Sequence, residues 1–70
     1  MNGLKALRDK RVISQEELSS ASGVGVATIS RLETGRVKPS IKTIRALAKA
    51  LNISPEELHG LLMSEQQRLF

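Results

Sequence analysis

Eleven Lys and Arg, seven Asp and Glu and a single His are the groups in this 70-residue sequence able to do ionic or proton-transfer chemistry. The acids are poorly spaced for catalysis. Glu16-Glu17 and Glu56-Glu57 are adjacent carboxylates at the starts of helical patterns, where capping and the helix macrodipole explain them better than acid–base work. His59 has no cysteine nucleophile, second histidine or recognisable triad partner, so an exposed helix residue is the stronger interpretation. With no cysteine, neither a disulfide framework nor thiolate zinc is available, and His59 cannot build a metal site alone. Gly23 and Gly25 fall in a turn between two helical patterns and do not make a glycine-rich phosphate loop. These residues point to no enzyme and no cofactor.

The bases are distributed more tellingly. Residues 31–49 carry six of them (Arg31, Arg36, Lys38, Lys42, Arg45 and Lys49) against Glu33 alone, a net +5, whereas residues 1–30 sum to +1 and residues 50–70 to −2. A concentrated basic face suits a polyanion, whose phosphates it neutralises with release of counterions. A solvated helix face rich in Lys and Arg has the same composition, so charge alone leaves both readings open.

The elements that must position these groups are helices. Apolar residues make up 40% of the chain and the only aromatic is Phe70, so Leu, Ile, Val and Ala must fill the core, as in a helical bundle. A chain this short removes only roughly 60% of its unfolded surface from water, which suits one small domain. No apolar run approaches the roughly 20 residues that span a bilayer, and the N-terminus has no long signal-like segment. A soluble cytoplasmic protein is expected.

Asn2 is a plausible N-cap for a first helix to about Lys10 or Arg11, with Leu4 and Leu7 facing the core. Ser14 and Glu17 have the capping-box spacing, and an apolar Val12-Ile13 step before them helps fix how the chain enters the second helix. That helix should turn Leu18 and Ala21 inward and end at Gly23. Gly25 caps a third helix without a side-chain acceptor. Its Val26, Ile29 and Leu32 recur at threes, beside the short, polar or basic Ala27, Thr28, Ser30 and Arg31. Gly35 closes it, Arg36-Val37-Lys38 makes a basic loop, and Pro39 blocks continuation. Ser40 caps a fourth helix whose apolar stripe is Ile41, Ile44, Leu47, Ala48 and Leu51. Asn52 ends it, and Ser54-Pro55-Glu56-Glu57 starts a fifth, with Leu58, Leu61 and Leu62 on its apolar side.

The stretch from Ser14 to Pro39, followed by IKTIRALAKALNISPEEL, resembles the Cro and phage-repressor type helix-turn-helix family, also called XRE-like. The matching features are Ser14-Gln15 with Leu18, Gly23-Val24 at the turn, Ile29-Ser30-Arg31-Leu32-Glu33, Gly35, Pro39 and Ala48-Lys49-Ala50-Leu51, and the likeness covers about residues 4–62. It implies an all-α, five-helix, lambda-repressor-like domain over residues 1–62, with residues 63–70 as a C-terminal tail that extends the last helix or contacts a second subunit.

The resemblance also implies roles. The third helix becomes the reader in the major groove, with Val26, Ala27, Thr28 and Arg31 toward base edges and Gln15 a further candidate for base or phosphate contact. Val26 and Ala27 can touch thymine methyls, and Arg31 can bind guanine bidentately. This departs from reader helices that begin with paired glutamines, so specificity leans on Arg31 and Gln15. Ser14, Gln15, Arg36 and Lys38 are placed to hold phosphate. Arg8 and Glu33 are expected to form a partly buried ion pair. Leu58, Leu61, Leu62 and Phe70 are candidates for a homodimer contact or simply for completing the core. The reading is therefore a transcriptional regulator, a repressor acting as a dimer on double-stranded DNA and associated with the nucleoid when bound. The rival is a helical protein-interaction module, such as a coactivator-like adaptor or an antitoxin's partner-binding domain.

Overall fold

The computed structural model describes residues 3–67. Five helices follow one another: α1 Gly3–Lys10, α2 Gln15–Ser22, α3 Val26–Glu33, α4 Ile41–Leu51 and α5 Pro55–Gln67. No strand occurs among the described residues. The expected cap at Asn2 lies outside them.

Serines start three of the helices. The Ser14 hydroxyl accepts from the Glu17 N–H at 3.0 Å while the Glu17 carboxylate accepts from the Ser14 N–H at 2.8 Å, completing a capping box on α2. Ser40 accepts from the Thr43 N–H and Ser54 from the Glu57 N–H, each at 3.1 Å, opening α4 and α5. Each of these bonds satisfies one of the donors that a first helical turn leaves unpaired.

The helix ends are closed by residues in the left-handed backbone region. α3 stops at Glu33, with Thr34 as its cap, and Gly35 at φ +77° turns the chain. There the Arg36 N–H reaches the Arg31 carbonyl at 2.9 Å and the Gly35 N–H reaches that of Leu32, the paired bonds of a Schellman motif. Asn52, at φ 60°, closes α4 with the same pair of bonds. So does Val12 for α1, at φ 57°, although a β-branched side chain is strained in that region.

One apolar cluster joins all five helices. Leu4, Leu18, Ile29, Leu32, Ile44, Leu47, Ala48, Leu51, Leu58 and Leu62 are buried, and Leu7, Ile13, Val24, Ala50, Ile53 and Met63 pack around them. α2 lies against α3 and α4, α4 against α5, and α1 closes the domain by packing on α5 and α3. The helix-turn-helix pair is thus fixed from behind by α4 and from the side by α1.

Two inward assignments are corrected. Ala21 is exposed, because Leu18 alone brings α2 onto the core. Ile41 is 71% exposed, at the first position of α4 beside a groove that it shares with the first turn of α5. Of the two readings for Leu58 and Leu62, completing the core is the one that their 0% and 6% exposure fits. Leu61 is half-buried over Gly3, where an added Cβ would come within 2.8 Å of its Cδ2. Phe70 lies outside the described residues. α5 itself runs unbroken across the 62/63 boundary to Gln67.

Candidate nucleic-acid interface

α3 has an inner and an outer side. Ile29, Leu32 and Glu33 are buried, which turns Ala27, Ser30 and Arg31 outward at the three- and four-residue spacings of one helical face. Val26, 37% exposed, and Thr28, half-buried, lie at the two edges of that face. The outer face is therefore low in profile at its N-terminal end and carries a long cation near its C-terminal end. A surface of this shape can sit against the floor of a groove while Arg31 reaches further in.

Arg36 and Lys38 are exposed on the loop that follows, and Lys42 is exposed in the first turn of α4. All six bases of residues 31–49 are exposed, and among the described residues none of their charged groups is held in an ion pair. The bases of α1 behave differently. Lys5 pairs with Asp9 at 2.9 Å, and Arg8 contacts Asp9 at 3.6 Å as well as Glu33. Hydrogen bonding from Lys5 holds the Asp9 carboxyl below its ordinary pKa.

Glu33, the single acid of the basic region, is removed from its surface. It is 3% exposed, and the Arg8 Nε donates to its Oε2 at 2.7 Å while Arg8 Nη2 donates to Oε1 at 3.3 Å. The hydrogen bond to Glu33 raises the Arg8 guanidinium above its ordinary pKa, against a smaller lowering by burial. Arg8 Nη1 also donates to the Ile13 carbonyl at 2.8 Å, so one guanidinium ties α3 to the α1–α2 turn. The positive field over residues 31–49 is consequently that of six cations with the local carboxylate neutralised from within.

Gln15 has a structural partner that its position in the sequence does not reveal. Its Nε2 donates to Glu33 Oε1 at 3.0 Å, joining the first turn of α2 to the last turn of α3. One amide N–H remains for an outside acceptor. Ser14 likewise uses its hydroxyl oxygen to cap α2, leaving its own hydrogen to donate. Ser30, named with the short and polar residues of this helix but not among the base-facing candidates, shares the exposed face with Ala27 and Arg31. Thr34, exposed beyond Arg31, is occupied by bonds from its hydroxyl to the Ser30 and Arg31 carbonyls.

No helix among the described residues is long and apolar enough to cross a membrane. Comparison with known proteins gives a consistent picture. A family model described as helix-turn-helix matches residues 4–58. The chain is 46% identical over 56 residues to the HTH-type transcriptional repressor RghR of Bacillus subtilis (strain 168), an alignment spanning 79% of this chain and 42% of that protein. It is 40% identical over 52 residues to the uncharacterized HTH-type transcriptional regulator y4dJ of Sinorhizobium fredii, spanning 74% of this chain and 68% of y4dJ. Against the HTH-type transcriptional regulator DdrOP3 of Deinococcus deserti the figures are 33% over 55 residues, 79% and 43%. The chain thus spans less than half the length of RghR and of DdrOP3. No solved structure matches it significantly.

Proposed function

The chain belongs to the XRE-like helix-turn-helix family of DNA-binding, non-enzymatic transcriptional regulators, and on that premise we propose that it reads double-stranded DNA by laying the outer face of α3 in the major groove. Val26, Ala27 and Thr28 approach base edges at the start of the reader, and Arg31 supplies the bidentate contact to guanine. Ser14, Gln15, Arg36 and Lys38 hold phosphates on either side, fixing register without reading sequence. The carrying observation is the set of six exposed, unpaired bases between Arg31 and Lys49, with Glu33 internally neutralised by Arg8. Exposed cations with no carboxylate partner among the described residues are electrostatically matched to a phosphate backbone.

Two copies bound to a two-fold operator would set their reader helices about 34 Å apart in successive major grooves. Repression follows if the occupied site overlaps that of the polymerase. Residues 1–62 form the reading domain in this proposal, and the continuation of α5 belongs to its C-terminal extension. The apolar start of the reader at Val26 and Ala27 also fits a protein partner, but such a partner gives no role to six free cations.

Selection of bound duplexes from a random pool, followed by titration of the winning site at several salt concentrations, tests the reading. A defined site with two related half-sites and a steep salt dependence is expected. Absence of binding to every duplex at low salt refutes it, and retention of a protein partner without duplex preference favours the interaction-module reading.

A further inference from the structure

The α1–α2 and α4–α5 turns share one construction and border one groove. Each is closed by a residue other than glycine in the left-handed backbone region, Val12 at φ 57° and Asn52 at φ 60°, and each continues with an isoleucine. The Ile13 N–H reaches the Arg8 carbonyl at 3.3 Å, and the Ile53 N–H reaches that of Ala48 at 3.0 Å. The groove bordered by these turns has a volume of about 650 Å³, within the range of small-molecule sites.

Its floor is aliphatic. Leu7, Ile13, Ala50 and Ile53 line it, and they are four of the six partly buried hydrophobic residues that pack around the core among the described residues. The floor is also preformed, because Arg8 Nη1 donates to the Ile13 carbonyl at 2.8 Å while the turn bond to Ala48 holds Ile53. A site fixed in this way loses little freedom when it is filled. Val12 supplies a second, independent observation. It stands between the lining residues Arg11 and Ile13, 86% exposed, with a β-branched side chain in a backbone region that disfavours it. Strain of this kind gathers at ligand clamps, and the domain gains little packing from the side chain that causes it.

Charge narrows the occupant. Lys10 and Arg11 line the groove from the end of α1 and are exposed. Lys5 and Arg8 of the same helix are paired, whereas neither Lys10 nor Arg11 is in an ion pair among the described residues. Glu57, on α5, is the one carboxylate of the lining. Two cations against one acid attract a single anionic head, and Glu57 repels a second one, which disfavours nucleic acid and other polyanions. No lining residue belongs to the outer face of α3 or to the basic loop. α4 rises about 1.5 Å per residue, so its last turn stands about 15 Å from its first, which follows that loop.

We infer that this groove is a binding site for a small aliphatic carboxylate. The head lies at Lys10 and Arg11, and the chain runs along Leu7, Ile13, Ala50 and Ile53 with Val12 at the rim.

Titration of the whole chain with sodium octanoate, followed by methyl-resolved NMR, tests the inference. Hexanoate, octanol, octylammonium and the eight-carbon dicarboxylate suberate are the comparison probes. Octanoate should shift the methyl signals of the four floor residues together and to saturation. Hexanoate, two methylenes shorter, should bind roughly tenfold or more weakly, since each buried methylene contributes about fourfold. Octanol, octylammonium and suberate should all bind more weakly than octanoate. Lys10→Gln with Arg11→Gln should weaken octanoate by roughly fivefold, the scale of two exposed ion pairs, and leave octanol unchanged. Val12→Gly relieves the strained turn, so loss of folding cannot explain its effect, and it should weaken octanoate by about fourfold. Shifts that spread over the surface without saturating overturn the inference. So does octanol, octylammonium or suberate binding as tightly as octanoate, or parent affinity in the Lys10 and Arg11 double variant or in Val12→Gly.

Discussion

Replacing Arg8 with methionine tests the central connection of this fold. The guanidinium donates to Glu33 Oε2 at 2.7 Å, to Oε1 at 3.3 Å and to the Ile13 carbonyl at 2.8 Å. Methionine keeps the apolar stem and removes all three bonds. Glu33, 3% exposed, is then a buried carboxylate supported only by the amide of Gln15. Breaking one side of a buried pair costs about 3–5 kcal/mol. At about 0.05–0.15 kcal/mol per residue, 70 residues give a total stability of about 3.5–10 kcal/mol, so the loss removes about 30% of it or more. Urea unfolding followed by far-UV circular dichroism measures the change from the midpoint, with the slope required to stay constant. Arg8→Met with Glu33→Leu should return to within about 1 kcal/mol of the parent, because two uncharged side chains of suitable size replace the pair without a desolvation penalty. If the single variant is already unfolded in water, the recovery in the double variant carries the test. A single-variant loss below about 1 kcal/mol, the value of an exposed ion pair, would refute the reasoning.

Four further outcomes follow from the geometry. Val12→Gly should stabilise the domain by about 0.5–1 kcal/mol in thermal unfolding, because it relieves a β-branched side chain at φ 57° that is 86% exposed and contributes little packing. Arg31→Ala should weaken a selected site by about 1–3 kcal/mol and relax preference at one base position, measured by competition among singly altered duplexes. Lys38→Ala should weaken all duplexes alike and lower the slope of log K against log salt by about 1. Asp9 should titrate below an ordinary aspartate, as seen by NMR, and move back up in Lys5→Met. The sign for stability follows from that lowered pKa: the Lys5–Asp9 contribution is fully present above the unfolded value of about 3.9 and is lost as pH falls through the lower folded value.

The phosphate contacts and the reader stand on different physical footing. In the proposed reading Arg36 and Lys38 act through charge, which tolerates loose geometry and acts over about a Debye length. Base reading requires α3 to be held at one angle, and this is what the Arg8–Glu33–Gln15 connections provide by joining α1, α2 and the end of α3. Loss of Arg8 should therefore reduce discrimination between duplexes in the fraction that remains folded, by allowing the reader to tilt.

The number of helices and most of their ends are legible in short stretches of the chain. Ser14 with Glu17, Ser40, Ser54-Pro55, Gly23 and Asn52 act through bonds to backbone only a few residues away, so the signal for each boundary is contained in a short segment. The basic character of residues 31–49 was legible for the same reason, since charge is carried by composition. Tertiary structure alone decided what depends on the direction of a neighbour. Ile41 continues the apolar stripe of α4 yet is 71% exposed, whereas Leu58 and Leu62, open in sequence to either a subunit contact or the core, are buried with the core. Gln15 reads as a polar first-turn residue until Glu33, 18 positions later, arrives beside it. Val12 takes a left-handed backbone that its side chain disfavours, because Arg8 and the packed Ile13 fix the chain on either side. Local hydrogen bonding chose the elements, and the cost of leaving apolar surface or a carboxylate without partners chose how they face one another.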